Sequence, residues 1–210
     1  MVKIKVQFGC GHHKLKGWIN VDLDRSCNPD VVADLSRDLP FKSQSADYIH
    51  SEDFVDQFEL DKAYAFFKEC HRILKDRGAM RLLTPNLHEF TRRYVEGDQG
   101  LLRLWDEQVG LPLKTRTLGE VLNLGMRLGG HTFLYDGDTL EFVLKACGFE
   151  PRKRSYQKSE EEELRGLDLR SPETGISLYY DCYKGQTPQS EEVPPFPGLS
   201  HRIKRILKRS

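Results

Sequence analysis

No run in the sequence approaches the roughly 18 consecutive apolar residues of a membrane span, and the opening MVKIKVQFG enters a strand at once instead of a signal peptide's apolar core. A cytoplasmic protein is expected. The five cysteines, Cys10, Cys27, Cys70, Cys147 and Cys182, are odd in number and form no C-x-x-C pair, which argues against a disulfide framework or a zinc knuckle and for reduced thiols. No internal repeat is present. Net charge is absent as well: 32 basic residues balance 32 acidic ones over 210 residues. Residues 198–210 nevertheless hold Arg202, Lys204, Arg205, Lys208 and Arg209 without an acid, so the rest of the chain is mildly acidic. That balance does not suit a general nucleic-acid binder. The acidic run Glu160 to Glu163 reads as a solvated loop.

What is present is an alternation of short apolar runs and turns. Strands are expected near Ile4–Phe8, Trp18–Val21, Val31–Ala33, Tyr48–His50 and Met80–Leu83. Ala63, Phe66, Phe67, Cys70, Ile73 and Leu74 recur at helical spacing, with Asp61 as a possible cap and the KDRG sequence, ending at Gly78, as the stop. Strand, helix, strand indicates an α/β layer fold. Residues 87–130 read as short helices carrying Phe90, Tyr94, Leu101, Leu104, Trp105, Leu118, Val121, Leu122 and Met126, an inserted cap. A helix over Asp138–Cys147 precedes strands at Phe149–Tyr156 and Ile176–Tyr183, which no helical pattern separates, so they can pair antiparallel. Residues 185–197 form a Pro-rich linker. The first strand departs from a central parallel strand, because Lys3, Lys5 and Gln7 alternate with its apolar residues. Either its start projects beyond the sheet or one sheet face is thinly covered.

Gly9 and Gly11 follow the first strand, and Asp22 follows the second. Glycines there allow a sharp turn and bring main-chain N–H groups close to a ligand, although an ordinary tight turn uses the same residues. A carboxylate at the second strand end can accept from both ribose hydroxyls. A dinucleotide fits poorly: Lys14 stands at the third glycine position, the interval from Gly11 to Asp22 is 11 residues, and no second mononucleotide half follows. The ligand needs a ribose but no pyrophosphate cradle.

The motifs FGCG, GWINVD, VVADL, LPF, SADYIHSE, FFKECHRILKDRGAMRLLTPN and GHTFLYDGDTLEFVLKACGFE resemble, in order, those of class I S-adenosylmethionine-dependent methyltransferases over roughly residues 3–184. The resemblance implies a Rossmann-like α/β fold, a seven-stranded sheet with a terminal antiparallel hairpin, and S-adenosylmethionine as cofactor. It implies that Phe8, Gly9, Cys10 and Gly11 form the turn beside the methionine part of the cofactor and that Asp22 binds the ribose. It likewise places Asp34, with Leu35 beside it, at the adenine amino group, unless Asp34 is only a helix cap or loop acid. Ser51 and Glu52 fall where sulfonium and acceptor meet. The chain departs from many relatives at Asp53 and Gln57, where they carry histidine.

His131, at the return from the cap, is the first base candidate, with Glu52 as the second catalytic candidate; the alternative is that His131 pins the cap by a hydrogen bond. His12 and His13 beside the glycine turn, and His88 and Tyr94 on the first cap helix, are either site-edge or surface residues. The acceptor expected is a small molecule or carbohydrate, methylated on oxygen, because no Asn-Pro-Pro-aromatic tetrad follows the fourth strand. No metal is expected. A cofactor-binding module without catalysis is the competing reading, and a nicotinamide dehydrogenase is disfavoured by Lys14. In the tail, Leu199, Ile203, Ile206 and Leu207 share one helical face and basic residues occupy the rest, a pattern that suits an anionic membrane surface or an acidic partner, or else serves solubility. If the tail docks on a membrane, deletion of residues 198–210 abolishes cosedimentation of the chain with phosphatidylserine-containing vesicles; if neither that cosedimentation nor binding to cellular partners changes, only the solubility role is left.

Overall fold

The computed structural model describes residues 2–104, 114–172 and 176–186. Trp105, the linker from residue 187 onward and the basic tail lie outside the described residues.

Seven strands form one sheet: β1 (Lys5–Phe8), β2 (Ile19–Asp22), β3 (Val31–Val32), β4 (Ala46–Glu52), β5 (Leu74–Pro85), β6 (Phe149–Lys153) and β7 (Ser177–Lys184), in the order β3-β2-β1-β4-β5-β7-β6. The first five are parallel, and β7 runs antiparallel to both β5 and β6. The terminal hairpin therefore forms as its uninterrupted strand pattern implies. Chain order reverses direction across the sheet at β1, so right-handed crossovers place the β1–β2 connection on one face and the β4–β5 connection on the other.

One face is covered by helices. Helix α1 (Leu60–Ile73) buries Ala63, Phe66, Phe67, Cys70 and Ile73, and α5 (Gly137–Ala146) buries Leu140, Val143 and Leu144, against Val6, Phe8, Ile49, Met80, Leu82 and Tyr180 of the strands. Helix α1 begins at Leu60 with Glu59 at the cap position and no side-chain capping bond, so Asp61 sits in the first turn and is not the cap. It stops at Ile73, five residues before Gly78. The chain turns directly into β5, Leu74 pairing with Ala46 ahead of a register shift, because Leu74 is worth more in the sheet core than in a further helical turn.

Among the described residues the other face carries no α-helix, only the short 3-10 turn Glu162–Leu164. Residues 9–18 join the parallel strands β1 and β2 as a loop, shorter than the dozen or more residues usual for such a crossover. Residues 154–172, between β6 and β7, cover the remainder. The acidic run expected to be a solvated loop is half so: Glu160 and Glu162 are exposed, Glu160 pairing with Arg152 and Arg154, whereas Glu161 and Glu163 turn onto the sheet, Tyr48 donating to Glu161 (2.9 Å) and Lys5 to Glu163 (2.9 Å), and Leu164 is fully buried. This settles the alternation of β1. Val6 and Phe8 face the helices, whereas Lys5 and Gln7 face the loops, where the Gln7 amide donates to the His13 carbonyl and accepts from the Leu15 N–H.

At the centre of the loop-covered face, Arg81 is completely buried. Its five N–H donors are all used, on Asp168 (2.9 and 2.5 Å), on Asp181 (3.0 Å) and on the carbonyls of Ser155 and Lys158 (3.1 Å each). Asp181 is further held by Arg154 and Ser159.

The cap consists of α2 (Leu87–Val95), α3 (Gly100–Arg103) and α4 (Leu118–Gly125), started by Asn86 and by a Thr117–Glu120 capping box. It has a small core of its own, Phe90, Leu101, Leu104, Val121 and Ile176. Tyr94 and Met126 are exposed instead of packed. Among the described residues no helix is long and apolar enough to cross a membrane. Arg81→Met should lower unfolding free energy by about 3–5 kcal/mol, because it strands two buried carboxylates; urea denaturation that shows a loss below about 1 kcal/mol would contradict this role.

Candidate active site

Phe8, Asp22, Val32 and Glu52 are the last residues of β1, β2, β3 and β4, so the residues singled out in the sequence converge on the carboxyl ends of neighbouring strands, beside the point where strand order reverses. The Phe8 ring itself lies in the core, edge-on to Phe66 and Phe41, so only its backbone borders the turn. Leu35 is likewise a core residue. Gly9 and Gly11 both have positive φ, +65° and +48°. A Cβ on Gly9 would stand 2.6 Å from the Phe54 ring, whereas one on Gly11 would meet nothing within 4 Å. The turn is thus packed on its Gly9 side and open at Gly11, the cradle that close approach of a ligand requires. Gly9 and Cys10 both donate to the Val21 carbonyl, and the Gly11 N–H donates to Asp22 Oδ2 (2.8 Å). Asp22 Oδ1 accepts from the Asp24 N–H (2.9 Å). Each Asp22 oxygen keeps a lone pair for a ribose hydroxyl. Cys10 is buried, which pushes its thiol up to about 11 and leaves it unreactive.

Asp34 is engaged by the residues that follow it, accepting from the Ser36 N–H and hydroxyl and from Arg37, contacts that hold its carboxyl below the usual range. It is a turn cap in this structure. His12 lies 3.8 Å from the Cys27 sulfur at the edge of the turn, and among the described residues no group of three or more metal-ligating side chains is assembled.

The end of β4 is enclosed from the loop-covered side. Ser51 is buried and its hydroxyl has no hydrogen-bond partner. Glu52 accepts from the backbone N–H groups of Leu169 (3.1 and 3.0 Å) and Arg170 (2.9 Å); burial outweighs these bonds and pushes its carboxyl up to about 7. The neighbouring His50 is fully enclosed, which pushes it down to about 4. Asp53, at φ +49°, pairs with Arg170 (Nε to Oδ2, 2.8 Å), and Gln57 donates to the Asp53 carbonyl. The two positions that depart from the resembled family thus hold a strap-binding carboxylate and a turn-supporting amide.

His131 is anchored at both ring nitrogens. Nδ1 lies 2.8 Å from the Gly125 carbonyl at the end of α4, and Nε2 lies 3.0 Å from Oδ2 of Asp56, a fully buried residue in the 3-10 turn Val55–Gln57. A carbonyl only accepts, so the contact to Gly125 is made by an Nδ1–H, and Nε2 faces the Asp56 carboxyl at ion-pair distance. Burial raises Asp56 to about 6, partly offset by His131. The Asp56 carbonyl also accepts from the N–H groups of Thr132 and Phe133. The cap's return is therefore clasped to the end of β4, and no His131 nitrogen faces an open site.

Residues 16–82 match the family model of the methyltransferase domain, a span that begins after the glycine turn and includes Asp22, Asp34, Leu35, Ser51 and Glu52. No curated protein matches the chain. Similar solved structures include the PH0226 protein of Pyrococcus horikoshii (TM-score 0.55, 16% identity, 89% of this chain and 83% of that one). Another is an S-adenosylmethionine-dependent methyltransferase from Archaeoglobus fulgidus (0.53, 14%, 87% and 86%). A third is a Haloferax volcanii complex of the Trm112 methyltransferase activator with a methyltransferase (0.53, 13%, 88% and 83%). The domain match over residues 16–82 and the likeness to these structures show a methyltransferase-type Rossmann-like fold, with the glycine turn and Asp22 at the switch point of its sheet.

Sequence reading missed Asp56 and Arg170. Asp56 carried one usable signal, an acid inside the apolar stretch FVDQF, whereas Arg170 sits in a stretch whose course only the fold reveals. If the clasp holds the cap, His131→Ala should cost about 3 kcal/mol of stability by leaving buried Asp56 unpaired. Asp56→Asn should then add little in the double variant, and additive losses in urea denaturation would show the two residues act separately.

Proposed function

We propose that the chain is a class I S-adenosylmethionine-dependent methyltransferase that methylates a hydroxyl oxygen of a small-molecule or sugar-type acceptor bound between the strand ends and the cap at 87–130. The observation that carries this reading is Glu52, a carboxyl at the end of β4 whose burial brings it to about 7, within range to take a proton at neutral pH. Bound S-adenosylmethionine supplies an electrophilic methyl group on a sulfonium. The protein's part is to align the acceptor oxygen with that methyl, exclude water and accept the hydroxyl proton, which is assigned to Glu52. The amides of Leu169 and Arg170 fix the Glu52 carboxylate, and His131 holds the cap in place through Asp56. Gly9, Cys10 and Gly11 border the methionine part, Asp22 takes the ribose, and Asp34 with Leu35 borders the adenine. An acid near the sulfonium also offsets its positive charge.

Labelled-cofactor turnover against a panel of hydroxylated and amino acceptors tests the acceptor class. On a verified hydroxyl acceptor, Glu52→Gln should lower kcat by about 10² to 10⁴. The wild-type rate should rise with pH through about 7, as the base form of Glu52 accumulates. The same burial makes the folded state hold the Glu52 proton more tightly than the unfolded chain between 4.5 and about 7, so stability should fall as pH rises through that window in the wild type and not in the Gln variant. Wild-type kcat in Glu52→Gln would remove the base assignment.

A further inference from the structure

The Asp53–Arg170 pair lies beside the glycine turn. Phe54, the residue after Asp53, packs on Gly9 so closely that a Cβ there would meet its Cβ at 2.8 Å and its ring at 2.6 Å. Arg170 is brought to the same place from the far end of the chain by three contacts: its N–H on Glu52, its Nε on Asp53 and its carbonyl on the Tyr179 hydroxyl (2.5 Å). The contact with Asp53 uses one N–H of five and one carboxylate oxygen of two. Both side chains keep surface, 39% for Arg170 and 29% for Asp53, although their backbones are fixed. A guanidinium and a carboxylate held side by side, each with bonding capacity left, complement a zwitterion.

We propose that Arg170 and Asp53 bind the amino-acid end of the cofactor, Arg170 meeting its α-carboxylate and Asp53 its α-ammonium. This inference rests on the placement of the methionine part beside the glycine turn. A carboxylate at position 53 both holds Arg170 and receives an ammonium. Arg170 also gives the 154–172 cover a role in the site, because that segment delivers it.

Two ligands separate the amino-acid end from the rest of the cofactor: S-adenosylhomocysteine, which has the zwitterion, and 5′-methylthioadenosine, which lacks it. Calorimetric titration of the full chain with each should show Arg170→Ala weakening S-adenosylhomocysteine by about 10- to 100-fold, the range of hydrogen bonds to charged groups, with 5′-methylthioadenosine unchanged. Arg170→Lys should recover part of the loss. Asp53→Asn, which keeps the shape and removes the charge, should weaken the same ligand selectively. Equal weakening of both ligands by Arg170→Ala would mean that the strap only supports the fold of the site and would overturn the proposal, as would unchanged affinity for S-adenosylhomocysteine. Asp22→Ala should weaken both ligands together. If it changes neither while Arg170→Ala acts selectively, the ribose assignment fails and this proposal stands; a wild-type chain that binds S-adenosylhomocysteine no more tightly than 5′-methylthioadenosine overturns the proposal directly.

Discussion

A buried guanidinium needs an acceptor for each of its five N–H groups, and Arg81 finds them only when the segment between β6 and β7 folds back across the sheet. Asp181 comes from the adjacent strand, but Asp168 and the carbonyls of Ser155 and Lys158 belong to that segment. The course of residues 154–172 is thus set by the need to neutralise one arginine. Much else depends on it. Glu161 and Glu163 are carried to Tyr48 and Lys5, and residues 169 and 170 are delivered to the end of β4 directly after Asp168.

The strand ends are consequently held by different forces on their two sides. On the helical side, Phe54, Phe58 and Phe66 pack edge-on or tilted at centroid distances of 4.9–5.7 Å and Phe54 presses on Gly9, an apolar constraint without charge. On the loop side the constraints are amides and ion pairs. Burial is what raises Glu52, beneath the loop segment, and Asp56, beneath the cap's return, since each carboxyl loses more solvation than its partners give back.

The helix-covered half of the fold was legible because it follows periodic rules. The apolar spacing of α1, the antiparallel hairpin and the glycine turn with Asp22 are all local patterns, and the resemblance to a methyltransferase supplied their order. The loop-covered half was not legible. Its cover has no period, Glu160 to Glu163 reads as solvent-facing by composition, and Arg81 looks like an ordinary polar residue in a strand until the sheet buries it. Lys5 and Gln7 held a trace of the answer, since an alternating central strand requires a polar cover. The end of α1 was misplaced for a related reason: KDRG is a good helix stop, but pairing of Leu74 with Ala46 ended the helix first. His131 was found as a residue and only partly as a role, because its partner Asp56 is 75 positions away.

Three acids crowd the end of β4 within five residues, and their partners differ in kind. Glu52 has backbone amides, Asp53 a guanidinium and Asp56 an imidazole, drawn from the strap and from the cap's return. Asp53 faces the Arg170 guanidinium and Asp56 faces the His131 ring, so Glu52 is the one acid of the three held by amides alone. Amides fix a carboxylate without cancelling its charge, whereas a second arginine would lower its proton affinity and a dry apolar wall alone would keep it protonated. The position near 7 follows from that intermediate environment. A group in this state can change charge at neutral pH without breaking an ion pair that holds the fold together. The structural pairs on either side therefore leave β4 with one adjustable charge, at the point where strap, cap and glycine turn converge.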